Sequence, residues 1–413
     1  MIELRPLLLD GPRRTGDLVQ ALGITRAGLL HAYKRESGGV LRFGRARSTR
    51  FAARQTLEGL STDQVPVFRV DDSGKIAPAG EVITLANVQS IWLPSEVVLD
   101  GLPPELHDIA PRGFLGRSFA RRHAELALPE NTSKWSDHHV LIAISRRGED
   151  LPGNLVVGRE SFDRFQRLTF PTHTLDDFAA LAEAALAGEH AGSSAGGEHP
   201  KFTTLLEGHH RIVKFAGRDT DNARRWRDLL ALEHIALETL SDAGVAAAKT
   251  RLIDTGGLRC LIVDRFDRIG VRGRRAVMSL AAATERLTGS WTDAAHSLAE
   301  RRLLSRDDLD RVELLDAYGA SIANTDRHQD NVLLFSESDG YTLAPAFDQL
   351  PMAYAPPASG HLRNDAIAEA VPAVNTLAVW DQARELASRF WRRAAEVDLS
   401  ESMRKIVATH ARR

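Results

Sequence analysis

Asn324-Thr325-Asp326-Arg327-His328-Gln329-Asp330-Asn331, followed by Ala346-Phe347-Asp348, is the stretch on which the fold turns. Phosphoryl transfer from ATP needs a carboxylate that accepts or orients the substrate hydroxyl. It also needs an amide oxygen and a second carboxylate that hold Mg²⁺ against the phosphates. In kinases the base and the asparagine lie five positions apart on one loop, and the metal-binding aspartate follows a short hairpin. Asp326 and Asn331 have that spacing, and Asp348 lies seventeen residues beyond Asn331, after the β-like pieces Asn331–Phe335 and Tyr341–Leu343. An Asp-x-x-x-x-Asn pair alone is common and reads first as a polar loop between a helix and a hairpin; its combination with Phe347-Asp348 favours the catalytic reading.

Upstream, Arg211-Ile212-Val213-Lys214-Phe215 reads as a strand that carries a lysine between β-branched residues. Such a lysine reaches the α- and β-phosphates if a helical glutamate holds it, and Glu233 follows nineteen residues later on the helix predicted from Asn222 to Ser241. Read alone, the two residues are better taken as an edge-strand lysine and a solvated helix charge. Gly192-Ser193-Ser194-Ala195-Gly196-Gly197 precedes the first β-run, and its glycines would let backbone amides approach phosphate; a flexible linker is the competing reading. The order of these features argues more strongly than any one of them. Glycine-rich loop, strand lysine, helix glutamate, the apolar strand Cys260–Val263, Asp-x-x-x-x-Asn and Phe-Asp follow one another as in a kinase. No G-x-x-x-x-G-K-[ST] or H-E-x-x-H motif is present. His138-His139 beside Asp137 lacks a second ligand cluster and reads as a surface loop.

The chain's 413 residues allow two or three domains, with 43% hydrophobic and 26% charged residues, an ordinary globular composition. The single cysteine, Cys260, opens an apolar run and reads as a buried structural thiol, with neither disulfide nor zinc site to build. The N-terminus lacks the pattern of a signal peptide and no apolar run reaches membrane-spanning length, so a cytoplasmic protein is expected. Charge is distributed unevenly. Residues 1–55 hold eleven Lys/Arg against four acids, a segment of +7 on a chain of −2. Thr15–Leu22 reads as a helix stopped by Gly23, and Thr25 opens a second helix from Arg26 to Ser37 with Leu29, Leu30 and Tyr33 at helical spacing. Gly38-Gly39 ends it, and residues 40–51 form an arginine-bearing hairpin, the wing of a winged helix-turn-helix. Double-stranded DNA is the expected partner of residues 1–57, with Thr25 and Arg26 near base edges and Arg45, Arg47 and Arg50 on phosphates.

With these motifs in hand, the chain resembles the HipA family of bacterial kinases over roughly residues 95–400. The likeness rests on Gly113-Phe114-Leu115-Gly116-Arg117, Asp150-Leu151-Pro152-Gly153, Ser193-Ser194-Ala195-Gly196, Ile212-Val213-Lys214, Arg265-Phe266-Asp267-Arg268, Asn324-Thr325-Asp326-Arg327-His328 and Ala344 to Met352. A helix-turn-helix joined to such a body further resembles the YjjJ subgroup. The resemblance implies an ATP- and Mg²⁺-dependent serine/threonine kinase. Asp326 would be its catalytic base, and Asn331 and Asp348 would bind the metal. Lys214, Glu233, Ser194, Ala195, Gly196, Val263, Arg265, Phe266 and His328 would line the ATP site. It also implies autophosphorylation at Ser193, or at the neighbouring Ser194, with expulsion of the loop from the site, and a toxin whose protein substrate is a translation factor such as an aminoacyl-tRNA synthetase. Two departures from the family pattern stand out: Asp330 replaces the usual lysine before the asparagine, and Glu198-His199-Pro200-Lys201 matches the usual Gln-Glu-Lys only loosely.

The expected architecture is α+β: a two-lobed HipA and protein-kinase-like fold with an N-terminal winged helix-turn-helix. Residues 1–57 would be the DNA-binding domain, 58–262 the HipA N-terminal subdomain and kinase N-lobe, and 263–413 a mainly helical C-lobe. A homodimer stays open, and no membrane association is expected. The rival reading is a DNA-binding regulator whose kinase-like body senses ATP or mediates dimerisation.

Overall fold

Helix α1 (Thr15–Leu22) ends where Gly23 takes a left-handed conformation, φ +62°, and donates its N–H back to the Gln20 and Val19 carbonyls. Helix α2 (Arg26–Glu36) starts on Thr25, whose hydroxyl accepts the Gly28 N–H at 3.1 Å, a cap worth about 1 kcal/mol. These elements belong to a computed structural model that describes residues 2–187, 199–357 and 361–413. Leu18, Leu29 and Ala32 of the two helices pack with Leu4, Leu8, Val40 and Phe51 into one small core. Strands β1 (Val40–Phe43) and β2 (Arg50–Ala53) pair antiparallel, Phe43 opposite Arg50, and Arg13–Arg14 adds a short third strand on β2. Gly44 begins the tip at φ +76°, where an added Cβ would lie 2.6 Å from the Ser48 carbonyl oxygen, so the tight turn requires glycine. Two helices joined by a glycine-stopped turn, followed by a hairpin, thus occupy the N-terminal segment.

Two compact units divide the chain. The first comprises Met1–Val70, Ile76–Ala110 and His123–Leu168. Beyond the N-terminal elements it contains β3 (Gln64–Val70), β4 (Ile76–Thr84), β5 (Gln89–Leu93), β6 (Val97–Asp100) and β7 (Leu155–Val157), in the sheet order β6-β5-β4-β3-β7. Helix α3 (Asp137–Arg147) lays Val140, Leu141 and Ile144 on Val65, Val67 and Val157 of that sheet. His138 and His139 lie in the first turn of this helix rather than in a loop. His138 Nε2 is 2.5 Å from the Glu58 carbonyl, and His139 Nδ1 receives the Ser136 N–H. Phe43 and Ala52 of the hairpin pack on Ile83, Leu85 and Ile91, so one face of the wing is buried within this unit while Arg42, Arg45, Arg47 and Arg50 stay exposed.

The second unit comprises Asp71–Lys75, Pro111–Arg122 and Thr169–Arg413. Strands β8 (Lys201–Leu206), β9 (His209–Ala216), β10 (Thr250–Thr255) and β11 (Leu258–Asp264) form an antiparallel sheet in the order β10-β11-β9-β8, and Thr172–His173 adds a parallel edge to β8. Val213, Phe215, Cys260 and Ile262 share one face with Phe178 and Phe202. Burial there pushes the Cys260 thiol up to about 12, so it is an inert structural group. The other face meets helix α4 (Asp221–Asp242), which passes on to a large helical core around Trp291, Tyr318, Phe390 and Met403. Helices α5 (Arg306–Ser321), α6 (Trp380–Ala394) and α7 (Glu401–Ala411) build most of that core. Between Arg268 and Ser279, where mostly helix is expected, short strands form instead. The last, β12 (Val277–Ser279), pairs with β13 (Leu333–Glu337), which turns into β14 (Gly340–Leu343).

Candidate active site

Side chains alternate along β9, so Val213 and Phe215 enter the apolar face while Lys214 points the other way, toward α4. Its Nζ donates to both Glu233 carboxylate oxygens, at 2.7 and 2.9 Å, and also contacts Asp348 Oδ1. A buried ammonium is tolerated only when paired. Burial works against the Lys214 charge, but Asp348 and Glu233 outweigh it and hold its pKa well above the ordinary lysine range. Burial pushes the Glu233 carboxyl up against the pull of Lys214. Asp348 is held below the usual carboxylate range: burial opposes its charge, and Lys214 and Lys201 overcome it.

Asp348 adopts φ +50°, a left-handed backbone that costs a non-glycine residue on the order of 1–2 kcal/mol. The neighbouring backbone holds it there. Ala346 N–H donates to the Ala246 carbonyl at 2.9 Å, and Asn324 Nδ2 donates to the Asp348 carbonyl at 3.4 Å. Asn324 also receives the Asp326 N–H on its Oδ1 at 2.9 Å, so this fully buried amide ties both aspartates together. The rest of the loop is pinned in the same manner. Arg327 donates to the Asn324 carbonyl at 2.6 Å and to Asp316 at 3.0 Å, and Trp291 Nε1 donates to the His328 carbonyl at 2.8 Å. Gln329 Nε2 reaches the Leu287 and Gly289 carbonyls at 2.8 and 3.1 Å.

Against this fixed backbone the Asp326 carboxylate remains 45% exposed. Its Oδ1 lies 3.3 Å from His328 Nε2. That contact holds Asp326 below the usual carboxylate range and the imidazole above its usual one. Asn331 Nδ2 donates to the Asp326 carbonyl at 2.8 Å and to Oδ2 at 3.3 Å, so the amide oxygen is the atom Asn331 has left to offer. A carboxylate and an amide oxygen, supplemented by phosphate oxygens, are the hard donors that suit Mg²⁺. Among the described residues no cluster of three or more His, Cys, Asp or Glu is placed to hold a metal ion.

Val263 sits within β11 opposite Ile212 and Thr250. Phe266 packs with Ala216, Ala248 and Leu261, its ring centroid 5.9 Å from Phe335 and 5.9 Å from Phe347, which gives an apolar wall beside Asp348. Arg265 is paired with Asp267 at 2.8 and 3.0 Å. Ser193, Ser194, Ala195 and Gly196 lie outside the described residues. At the other end of the chain, Thr25, Arg26, Arg45, Arg47 and Arg50 are all exposed, Thr25 and Arg26 at the start of α2 and the other three around the hairpin tip.

Sequence reasoning missed Asn324 as a bridge, and it missed Arg112. The guanidinium of Arg112 contacts Asp330, and Arg286 stands 3.9 Å from the same carboxylate. The extra negative charge at position 330 is thus offset by cations from distant segments. A clue was present: Arg112 directly precedes the Gly113-Phe114-Leu115-Gly116-Arg117 motif.

The chain is 34% identical over 432 residues to Toxin YjjJ of Escherichia coli (strain K12), an alignment that covers 98% of this chain and 96% of that one. It belongs to the YjjJ-like branch of the HipA family. The family models agree, YjjJ-like toxin, middle domain over residues 61–166 and HipA-like C-terminal domain over residues 193–413. Among solved structures, HipA of Shewanella oneidensis MR-1, determined with HipB and its operator DNA, matches 84% of this chain and 95% of its own length at 16% identity and TM-score 0.49. The proinflammatory kinase CtkA of Helicobacter pylori matches 53% and 91% at 14% identity and TM-score 0.36. In this YjjJ-like chain the HipA-like C-terminal model spans Lys214, Glu233, Asp326, Asn331 and Asp348.

Proposed function

We propose that this YjjJ-like protein is an ATP-dependent serine/threonine protein kinase of the HipA toxin type. The observation that carries the reading is the meeting of Lys214, Glu233 and Asp348 in one ion cluster, with Asp326 and Asn331 hydrogen-bonded on the adjoining loop. Lys214, oriented by Glu233, would donate to the α- and β-phosphates. Val263 and the Phe266 wall would receive the adenine, with Arg265 and His328 at the edges of the nucleotide site. Asp348 and the Asn331 amide oxygen would hold Mg²⁺, which when bound neutralises charge on the phosphates. Asp326 would orient the substrate hydroxyl. As its oxygen bonds to the γ-phosphorus, the bond to the β–γ bridging oxygen breaks, ADP leaves, and the hydroxyl proton passes to the Asp326 carboxylate. Arg112 and Arg286 would keep Asp330 from repelling the phosphates.

Autophosphorylation at Ser193 or Ser194, self-inhibition by the loop and a translation-factor substrate such as an aminoacyl-tRNA synthetase belong to this proposal. Family membership supports them. The test is incubation with Mg-ATP followed by phosphosite mapping, with Asp326→Asn as control. Phosphate on Ser193 or Ser194 in the wild type alone is expected, and equal phosphorylation of both proteins would sink the assignment.

Duplex DNA is proposed as a second partner. Helix α2 presents Arg26 at its exposed N-terminal end, and the exposed arginines of the hairpin tip support a docking with α2 in the major groove and the wing arginines on phosphates. This would hold equally if the kinase-like body only sensed ATP. The Asp326→Asn protein separates the two readings, since a pure regulator would be indifferent to it.

A further inference from the structure

Helix α4 carries Glu233 near its middle, and its N-terminal half carries three other charged side chains that are almost wholly buried: Arg225, Arg227 and Asp228, at 1%, 7% and 3% exposure. Each holds a different neighbour. Arg227 reaches the sheet, with Nη2 donating to Asp254 on β10 at 2.9 Å and Nη1 to the Ala216 carbonyl at 3.4 Å. Arg225 reaches the segment that follows Asp348. Its Nη1 donates to the carbonyls of Tyr354 at 3.0 Å and Arg363 at 2.8 Å, and its Nη2 to Asn364 Oδ1 at 2.8 Å. Asp228 reaches the end of the chain, accepting the Ser400 N–H at 2.9 Å and the Ser400 hydroxyl at 2.5 Å. Ser400 is at the same time the N-cap of α7.

We propose that Arg225 and Asp228 are positioning residues: they clamp α4 to Tyr354, Arg363 and Asn364 and to the C-terminal helix, and so hold Glu233 in register with Lys214. The inference rests on the reading of Lys214 as the phosphate contact. Apolar packing holds α4 against the helical core but is not directional, so it opposes a shift of the helix without itself fixing where the Glu233 carboxylate lies. Hydrogen bonds are directional and weaken steeply with misalignment. The Lys214–Glu233 contacts, at 2.7 and 2.9 Å, would be lost by such a shift. Buried charges that keep all their partners only in one register penalise every other one, because slippage strands a guanidinium or a carboxylate without water. Arg227 alone, bonded to the sheet, would let helix and sheet move together. Arg225 and Asp228 add the second attachment, to residues 129 to 172 positions away. The C-terminal helix thereby becomes part of the nucleotide site without touching it.

The test compares Asp228→Ala, Ser400→Gly, Ser400→Thr and the Asp228→Ala/Ser400→Gly double variant. Glycine caps a helix nearly as well as serine, so Ser400→Gly removes the hydroxyl bond to Asp228 while sparing α7. KM for Mg-ATP should rise about tenfold in Asp228→Ala, the scale of a lost charged hydrogen bond, with kcat changed less than about twofold. Ser400→Thr should behave as wild type, Ser400→Gly should fall between, and the double variant should be no worse than Asp228→Ala, because both changes cut the same link. Hydrogen exchange is the readout independent of nucleotide: amides of residues 221–233 should exchange about tenfold faster in Asp228→Ala, and those of 380–394 at the wild-type rate. Wild-type KM and wild-type exchange in Asp228→Ala, or fully additive effects in the double variant, overturn the clamp. If Asp228→Ala does not fold, Ser400→Gly decides by the same readings. A wild-type protein that fails to bind Mg-ATP would defeat the nucleotide reading instead, and the exchange measurement would still decide the clamp.

Discussion

The candidate site has two charged clusters, and they differ in how much water reaches them. In the first, the side chains of Lys214, Glu233 and Asp348 are 8%, 1% and 27% exposed. In the second, Asp326 and His328 are 45% and 54% exposed. Unit charges 4 Å apart interact by about 1 kcal/mol in water and about 4 kcal/mol at the effective dielectric typical near a protein surface. The buried cluster therefore sets geometry, resists salt and fails badly when one member is lost. The exposed pair contributes little to holding the fold, and its charge state follows the solution. A kinase needs both: a rigid seat for the nucleotide, and a base that an incoming hydroxyl can reach.

The sharpest way to break that division is at Asp326. Asp326→Asn should lower kcat by about 10²–10⁴, the usual reach of a general base, while thermal stability and Mg-ATP affinity stay near wild type. Asp348→Asn should reduce both turnover and Mg-ATP affinity, because that carboxylate belongs to the buried cluster. Calorimetric titration with Mg-ATP beside a phosphoryl-transfer assay separates the two outcomes.

Next in size is loss of the buried cation. Lys214→Met leaves Glu233 buried without its partner and should destabilise the protein by about 3–5 kcal/mol. The sign of its pH dependence follows from burial, which already pushes Glu233 upward. A group whose folded pKa is raised favours the folded state below its unfolded value and loses that contribution as pH rises through the folded value. The penalty should thus be smaller at pH 5 than at pH 8, as urea midpoints at the two pH values would show. An equal penalty at both would mean that Glu233 does not sense the loss.

What the sequence disclosed divides along similar lines. The Asp326–Asn331 spacing, Lys214 between β-branched neighbours, Glu233 on its helix and the Gly23 stop are local patterns, and local patterns are what periodicity and turn chemistry record. The pairing of Arg112 with Asp330, 218 positions apart, and the Asn324 bridge between Asp326 and Asp348 leave no periodic trace. Strand β10 escaped notice because it is an edge strand with no fully buried residue, so its alternation is faint. The strands between Arg268 and Ser279 are two or three residues long, too short to show an alternation: Arg268–Ile269 pairs with nearby Gly273–Arg274, and β12 forms through the distant β13. Ser193 to Gly196, outside the described residues, remain a matter of family likeness.

The contrast extends to the N-terminal module, where Arg45, Arg47 and Arg50 are exposed and carry charge without a fold to hold. Replacing all three by alanine should leave stability within about 0.5 kcal/mol. It should also make the salt dependence of duplex DNA binding shallower by about 3 units of log K against log salt, roughly one per phosphate contact. Fluorescence anisotropy across a salt series measures this, and an unchanged slope would remove the wing from any DNA interface.

The smallest expected effect tests the exposed pair itself. His328 Nε2 beside Asp326 raises the imidazole above its ordinary value of 6.5 and lowers the carboxyl below its ordinary 3.8. The His328 contribution to stability is complete below 6.5 and fades as pH climbs through the raised value. The Asp326 contribution is complete above 3.8 and fades as pH falls through the lowered value. The pair is therefore fully formed between those two ordinary values and opens on the alkaline side when His328 loses its proton. Activity should move the opposite way. While His328 is an imidazolium, the Asp326 carboxylate is bound to a cation and is a weaker base for the substrate hydroxyl. Once the imidazole is neutral, that carboxylate is freer to accept a proton. Turnover should rise by about threefold as pH passes through the His328 transition, a small part of a full general-base effect. His328→Gln should show no such step, and the wild type should lose a little stability over the same interval in which it gains rate. A step of equal size in His328→Gln, or rate and stability rising together, would show that His328 does not govern the base. The geometry of the pair would then serve the loop's shape alone.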